Sequence, residues 1–258
     1  MTARRRPTSP FLALLATVLL LLASVGAANT QPPNQRATIV LILDDMGNSM
    51  ALGLQALALP GAINYAFLPH SPNTEALART AHKLGKEVML HAPMSNLSNQ
   101  PLGPGALTAR MDKSDFLATL RSSLSSVPHV KGINNHTGSL LTQLREPMIW
   151  LVTELKTQNL YFIDSRTSPR TVAEATARRY AIPTLKRDVF LDNNLDSDAI
   201  AMQFERLVQL AFSRGLAVGI GHPHPQTLDF LKTALPTLAE RGIALAFASA
   251  SAPTVARH

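Results

Sequence analysis

The chain of 258 residues carries 24 basic and 17 acidic side chains, a formal charge of +7, and no cysteine. With no disulfide available, an apolar core has to hold the fold unaided. The basic surplus is mild and scattered, without a basic stripe or interleaved aromatics, so nucleic-acid binding finds no support.

In chain order, the first expected element is a leader. Arg4, Arg5 and Arg6 precede an uncharged apolar run from Phe11 to Ala28 that ends in small residues. This pattern predicts a secretory signal peptide over residues 1–28. The alternative is an uncleaved anchor, because eighteen apolar residues stand at the lower limit for crossing a bilayer. Either reading exports the remainder, to the periplasm in a bacterium, and confines membrane contact to this segment. Without the three arginines the balance is 21 basic to 17 acidic residues, a weak attraction to anionic envelope polymers. No feature of the sequence specifies an oligomeric state.

Residues 29–37, NTQPPNQRA, read as a polar linker. A single domain is expected over 38–250, with a tail at 251–258. Within it, apolar strand-like runs fall at 38–44, 62–68, 87–91, 130–135, 160–164, 184–191, 216–221 and 243–248. Most are short and continuously apolar, as parallel strands covered on both faces should be. Amphipathic helical segments alternate with them: one after Ser49, then 73–84, 113–127, one opened by Pro147, 171–180, 198–213 and 226–241. Pro236 should kink or break the last. Gly215 and Gly242 stand just past helix ends. This alternation predicts an α/β fold, a distorted (β/α)7-8 barrel, with a doubly wound open sheet as competitor. No Gly-rich dinucleotide fingerprint follows the first strand. The longest insert, 92–112, is polar and rich in proline and glycine, and should lie over the site mouth.

Active sites of such barrels lie at the C-terminal strand ends. There the sequence places Asp44-Asp45, His70, His91, Asn134-Asn135-His136, Asp164-Ser165-Arg166, Asp192-Asn193-Asn194 and His222-Pro223-His224. The adjacent aspartates have a plain alternative role, capping the helix that follows. Five of the eight histidines nevertheless fall just after expected strands. Asp45, His91 and His136 supply one carboxylate and two imidazoles from three strands, a donor set suited to catalytic Zn²⁺ with a fourth position open to water. Such a metal offsets the repulsion between Asp44 and Asp45 and brings the pKa of bound water to about 7. Asp44 is then placed to accept that water's proton. Asp164, Arg166 and Asn135 are expected to line the pocket, an Asp164–Arg166 ion pair ordering the turn being the alternative.

The motifs LDDMG, HAPM, INNHTGS, FIDSRTS and GIGHPHP, in this order, resemble the divergent polysaccharide deacetylases, a YibQ-like branch of the metal-dependent carbohydrate esterases. The resemblance covers about residues 38 to 250. It implies a distorted barrel of the glycoside hydrolase/deacetylase (NodB-like) type, a divalent metal with Zn²⁺ foremost, and a polysaccharide or other glycan as substrate. It implies Asp44 as base, Asp45 as ligand, His91 as the first of two family histidines, and His222 as the acid that protonates the leaving group. The second family histidine would stand at Ser95, so His136 is the candidate third ligand. His224 is the other histidine to consider, both for that place and as a substrate contact. Two further readings are an exported carbohydrate-binding or envelope protein without turnover, and a glycoside hydrolase using Asp44 with another carboxylate.

Overall fold

The computed structural model describes residues 37–253. The expected leader, the linker up to residue 36 and tail residues 254–258 lie outside them. The described residues fall within one compact unit, Arg36–His258.

Nine strands form one wholly parallel sheet. They are β1 (Ala37–Met46), β2 (Ile63–Phe67), β3 (Glu87–Met94), β4 (Val130–Thr137), β5 (Tyr161–Asp164), β6 (Thr184–Lys186), β7 (Val189–Phe190), β8 (Leu216–Gly221) and β9 (Ile243–Leu245). The order is β6-β5-β4-β3-β2-β1-β8-β7, with β9 beside the first residues of β1. The sheet curls into a distorted barrel that stays open between β6 and β7, for which no pairing is found among the described residues. The helices are α1 (Met50–Leu57), α2 (Thr74–Lys83), α3 (Lys113–Ser125), α4 (Arg145–Thr157), α5 (Ala173–Arg179), α6 (Ser197–Arg214), α7 (Pro225–Ala234) and α8 (Ala248–Ser251).

Side-chain alternation divides each strand between two cores. On β1, Ile39, Leu41 and Leu43 pack outward against the helices, while Val40 and Ile42 point into the barrel. The inner cluster adds Ala66, Met89, Ile163, Val218 and Ile220, and Ala248 and Ala252 at the C-terminal end of the chain close it. Polar groups tie that closure down. Asn64 accepts from Ala248 N at 2.9 Å, and Glu87 accepts from Tyr161 Oη at 2.8 Å and from Ser249 N and Oγ.

β1, β3 and β4 run two or three residues past their expected ends, and three further elements differ more, each for a local reason. The strand expected over 184–191 is two strands on opposite edges, because polar Arg187 and Asp188 interrupt it. Arg187 donates to the carbonyls of Ser165 and Arg166 at 2.7 and 2.9 Å, carrying the chain across the seam. The helix expected over 226–241 stops at Ala234 and continues as a 3-10 turn, Leu235–Thr237, around Pro236. The run expected to end at 248 pairs only to Leu245 and then enters α8.

Gly132 on β4 stands opposite Tyr161 on β5, and a Cβ there would fall 2.2 Å from the Tyr161 ring. That ring is buried and anchored to Glu87, so it cannot swing aside cheaply. Gly132→Ala is therefore expected to destabilise by about 1–3 kcal/mol through overpacking. A urea midpoint unchanged from wild type would contradict this account of the barrel interior.

Candidate metal and acid–base centre

The functional side chains gather where β1, β3, β4 and β8 end. β1 runs through both aspartates, but its pairing with β2 slips between Leu43 and Met46. At the slip Asp45 takes a left-handed backbone conformation, φ 55°. Such a conformation is uncommon outside glycine, and Asp is one of the residues that tolerate it best. Its effect is to cancel the alternation that would send neighbouring side chains to opposite faces. Asp44 Oδ2 and Asp45 Oδ1 both approach His91 Nε2, at 3.6 and 3.2 Å. The capping alternative is not used at α1, whose first turn is capped by Ser49 Oγ accepting from Leu52 N.

Asp45, His91 and His136 form a tight triangle. His136 Nδ1 lies 3.0 Å from Asp45 Oδ1 and 3.0 Å from His91 Nε2. Asp45 Oδ1 is buried yet has no well-aligned hydrogen-bond donor. A buried carboxylate oxygen without a donor is costly, and a cation among the three atoms would satisfy it. One oxygen and two imidazole nitrogens also fit the donor preference of zinc. The structure thus brings together the three residues expected as ligands, and His224 lies outside this triangle.

Asn134 organises this group from behind. Its Nδ2 donates to Asp44 Oδ1 at 2.7 Å, and its Oδ1 lies 2.8 Å from His91 Nδ1. The carboxylate fixes which way the amide points, so Oδ1 accepts and His91 Nδ1 carries the proton. His91 Nε2 is thereby left with its lone pair toward the triangle, as a metal ligand requires. Burial raises the Asp44 carboxyl above the ordinary range, against the opposing pull of His91, His222 and the Asn134 hydrogen bond. Burial also works against ionised Asp45, but the rings of His136 and His91 outweigh it and hold that carboxyl well below the usual range. For His91, desolvation is overcome by Asp44 and Asp45, and its pKa is raised.

His222, at the end of β8, is held by Asp192. The Asp192 carboxylate accepts from His222 Nδ1 at 2.9 Å, from His222 N at 2.6 Å and from Thr227 Oγ1 at 2.8 Å. Desolvation lowers the basicity of His222, but Asp192, Asp44 and Asp45 prevail and push its pKa up to about 9.

Other expected site residues are placed differently. Asn135 points to the opposite side of β4 from Asn134, donating to Thr137 O and accepting from Ser165 N, so it pins strand ends and is not free for a ligand. Asp164 is fully buried and accepts from Arg166 N, Thr171 Oγ1 and Glu174 N. It orders the loop after β5 through these donors, not through an ion pair with the Arg166 guanidinium. Arg166 remains on the rim, 4.0 Å from Glu174. His224 is exposed ahead of α7, its ring 5.8 Å from that of His222. With Asp192 and His222 it makes a second group of potential ligands, but the Asp192 oxygens already accept three hydrogen bonds. Ser95 stitches down the 92–112 insert, its Oγ accepting from Ala109 N and its carbonyl from Leu140 and Leu141. Asn134 and Asp192 had no assigned role in the sequence reading. Strict alternation from outward Ile133 and inward Phe190 is the signal that singles them out.

Known proteins resemble this chain in sequence and in fold. The sequence profile described as divergent polysaccharide deacetylase matches residues 41–252. YibQ of Escherichia coli, an uncharacterised protein, is 39% identical over 194 residues, which are 75% of this chain and 61% of that relative's length. Among solved structures, an uncharacterised protein from Agrobacterium tumefaciens superposes with a TM-score of 0.81 at 19% identity, covering 86% of this chain and 91% of the other. The catalytic domain of a peptidoglycan N-acetylglucosamine deacetylase from Eubacterium rectale gives 0.54 at 13% identity, with 91% and 97% covered. At these identities the structural matches speak for the fold.

Two outcomes follow from the geometry. Asn134→Ala removes the group that fixes the His91 tautomer, and should weaken Zn²⁺ binding about 10–100-fold. Competition with a chromophoric chelator reads this directly, and an unchanged affinity would refute the role given to Asn134. The second concerns pH. A folded-state pKa of about 9 for His222 against about 6.5 unfolded gives stability that is complete below about pH 6.5. It is lost as pH rises through about 9 and amounts to about 3 kcal/mol at most. In chelator-treated protein, the stability gap between wild type and His222→Asn should therefore narrow between about pH 6 and pH 10. A gap that stays constant or widens would exclude a charged His222–Asp192 pair.

Proposed function

The chain belongs to the divergent polysaccharide deacetylase family, and from that premise we propose that it is a metal-dependent hydrolase that removes acetyl groups from an envelope polysaccharide. The observation that carries this reading is the convergence of two carboxylates, Asp44 buried and Asp45 half-buried, on His91 Nε2, only one of them belonging to the ligand triangle. Asp45, His91 and His136 would hold a divalent ion, with Zn²⁺ preferred for a site of two nitrogens and one oxygen. When bound, that ion would supply polarisation of the acetyl carbonyl and a water of lowered pKa.

The remaining chemistry belongs to the chain. Asp44 is tied at Oδ1 by Asn134, which leaves Oδ2 to take the proton of the attacking water. Its burial makes it a better base than an exposed aspartate. His222 is held protonated by Asp192 and is suited to give its proton to the leaving amine or alcohol. Water adds to the acetyl carbon, the bond to the sugar nitrogen or oxygen breaks, and acetate and the deacetylated sugar leave. The insert contributes a groove of about 430 Å³ lined by Asn96, Asn99, Gln100 and Arg110, groups that suit sugar hydroxyls. The leader-like residues 1–28 support export, where envelope polysaccharide is found.

The aspartate pair provides the test. Asp44→Asn should keep its metal and lose acetate release by about 10²–10⁴-fold on acetylated glucosamine oligomers or peptidoglycan. Asp45→Asn should lose the metal first. Equal metal retention by the two variants would overturn the assignment. Wild-type protein that binds metal and glycan without releasing acetate would instead be an exported binding protein.

A further inference from the structure

A second polar cavity lies beside His222, at the open seam of the barrel. It encloses about 280 Å³ between β7, the loop after it and α6, and is lined by Arg187, Asp188, Asn193, Asn194, Gln203 and Arg206. Its charges do not balance internally. Asp188 is committed to Arg214 at 3.0 Å and to Val218 N at 2.9 Å. Neither Arg187 nor Arg206 has a carboxylate within ion-pair distance among the described residues. Arg187 donates only to two backbone carbonyls. Burial, then the nearby Arg166 charge, with Arg206 contributing, disfavours its charged form, and Asp164 and Asp188 offset this only in part, so an anion would relieve the crowding.

The cavity also communicates with the proposed acid. The Arg187 guanidinium sits 3.8 Å above the Phe190 ring, and Phe190 stacks on His222 with ring centres 6.2 Å apart. Arg187 and His222 thus share Phe190 as a neighbour, which puts the cavity next to the proposed acid.

We propose that this cavity is a subsite for an anionic substituent, a carboxylate or a phosphate, on a sugar next to the one deacetylated. It rests on the deacetylase reading and narrows it, making the substrate an acidic polysaccharide. Arg206 has no carboxylate partner among the described residues and Arg187 keeps Nη1 uncommitted, so a carboxylate or phosphate would meet charged donors there that a neutral glycan would not engage as strongly. Asn193, Asn194 and Gln203 add neutral donors and acceptors for the hydroxyls around the charge.

Calorimetric titration of the metal-loaded protein with glucuronate, glucose 6-phosphate and glucose tests this without turnover. At least one acidic sugar should bind ten-fold or more tighter than glucose, and which one does so distinguishes carboxylate from phosphate. Arg206 is exposed and unpaired, so Arg206→Gln should fold normally and remove that preference. Three equal affinities, or a preference that survives in Arg206→Gln, would overturn the proposal. The latter result would also expose phosphate bound at the metal triangle. Because acetate is not measured, a failure here and a failure of the deacetylase reading remain distinguishable.

Discussion

Two carboxylates crowded against one imidazole, Asp44 buried and Asp45 half-buried, call for positive charge, and much of the site follows from meeting that demand. Removing an ionised carboxylate from water costs several kcal/mol unless it is paired. The chain answers on several fronts at once. His91 faces both aspartates, Asn134 donates to Asp44, and His136 completes a triangle around Asp45 Oδ1. The oxygen that still lacks a donor is the one a cation would reach.

The barrel makes this possible by dividing its strands cleanly. Outward residues pack against helices, inward residues fill a core closed by α8, and only the strand ends present polar groups to the opening. Where the site needs something alternation forbids, the backbone departs from it. Asp45, Thr137 and Arg166 all have positive φ just where β1, β4 and β5 finish. Conformations of this kind cost about 1–3 kcal/mol each and persist where surrounding contacts enforce them. For Thr137 those contacts are visible, since its hydroxyl donates to Met94 O and its carbonyl receives Asn135 and Thr167.

Environment also raises the proton affinity of both groups proposed for acid–base work. Asp44 is made more basic by burial while remaining hydrogen-bonded, and His222 is made more basic by its carboxylate neighbours. A carboxylate made a stronger base and an imidazole kept protonated suit the proposed roles of base and acid. The seam adds a further asymmetry, since the same Phe190 that packs against His222 carries Arg187 on its ring.

Much of this was legible in the residues alone. Continuous apolar runs separated by amphipathic segments specify parallel strands covered by helices, because both faces of such a sheet must be buried. That Asp44, His91, His136 and His222 stand near strand ends follows from where those runs stop, although β1, β3 and β4 pair two or three residues further, and Pro236 ends its helix because it cannot supply the backbone donor. Alternation places Asn134 on the inner face, but local pattern did not determine what it meets there. Asn134, not Asn135, reaches Asp44, a residue 90 positions away. Nor does local pattern contain the left-handed turn at Asp45, the crossing of Arg187 between the sheet edges, or the capture of His222 by Asp192 across 30 residues. Periodicity reports the buried face of each strand by itself. Which side chains meet is decided only when strands distant in sequence are set in register, and that is a property of the whole sheet.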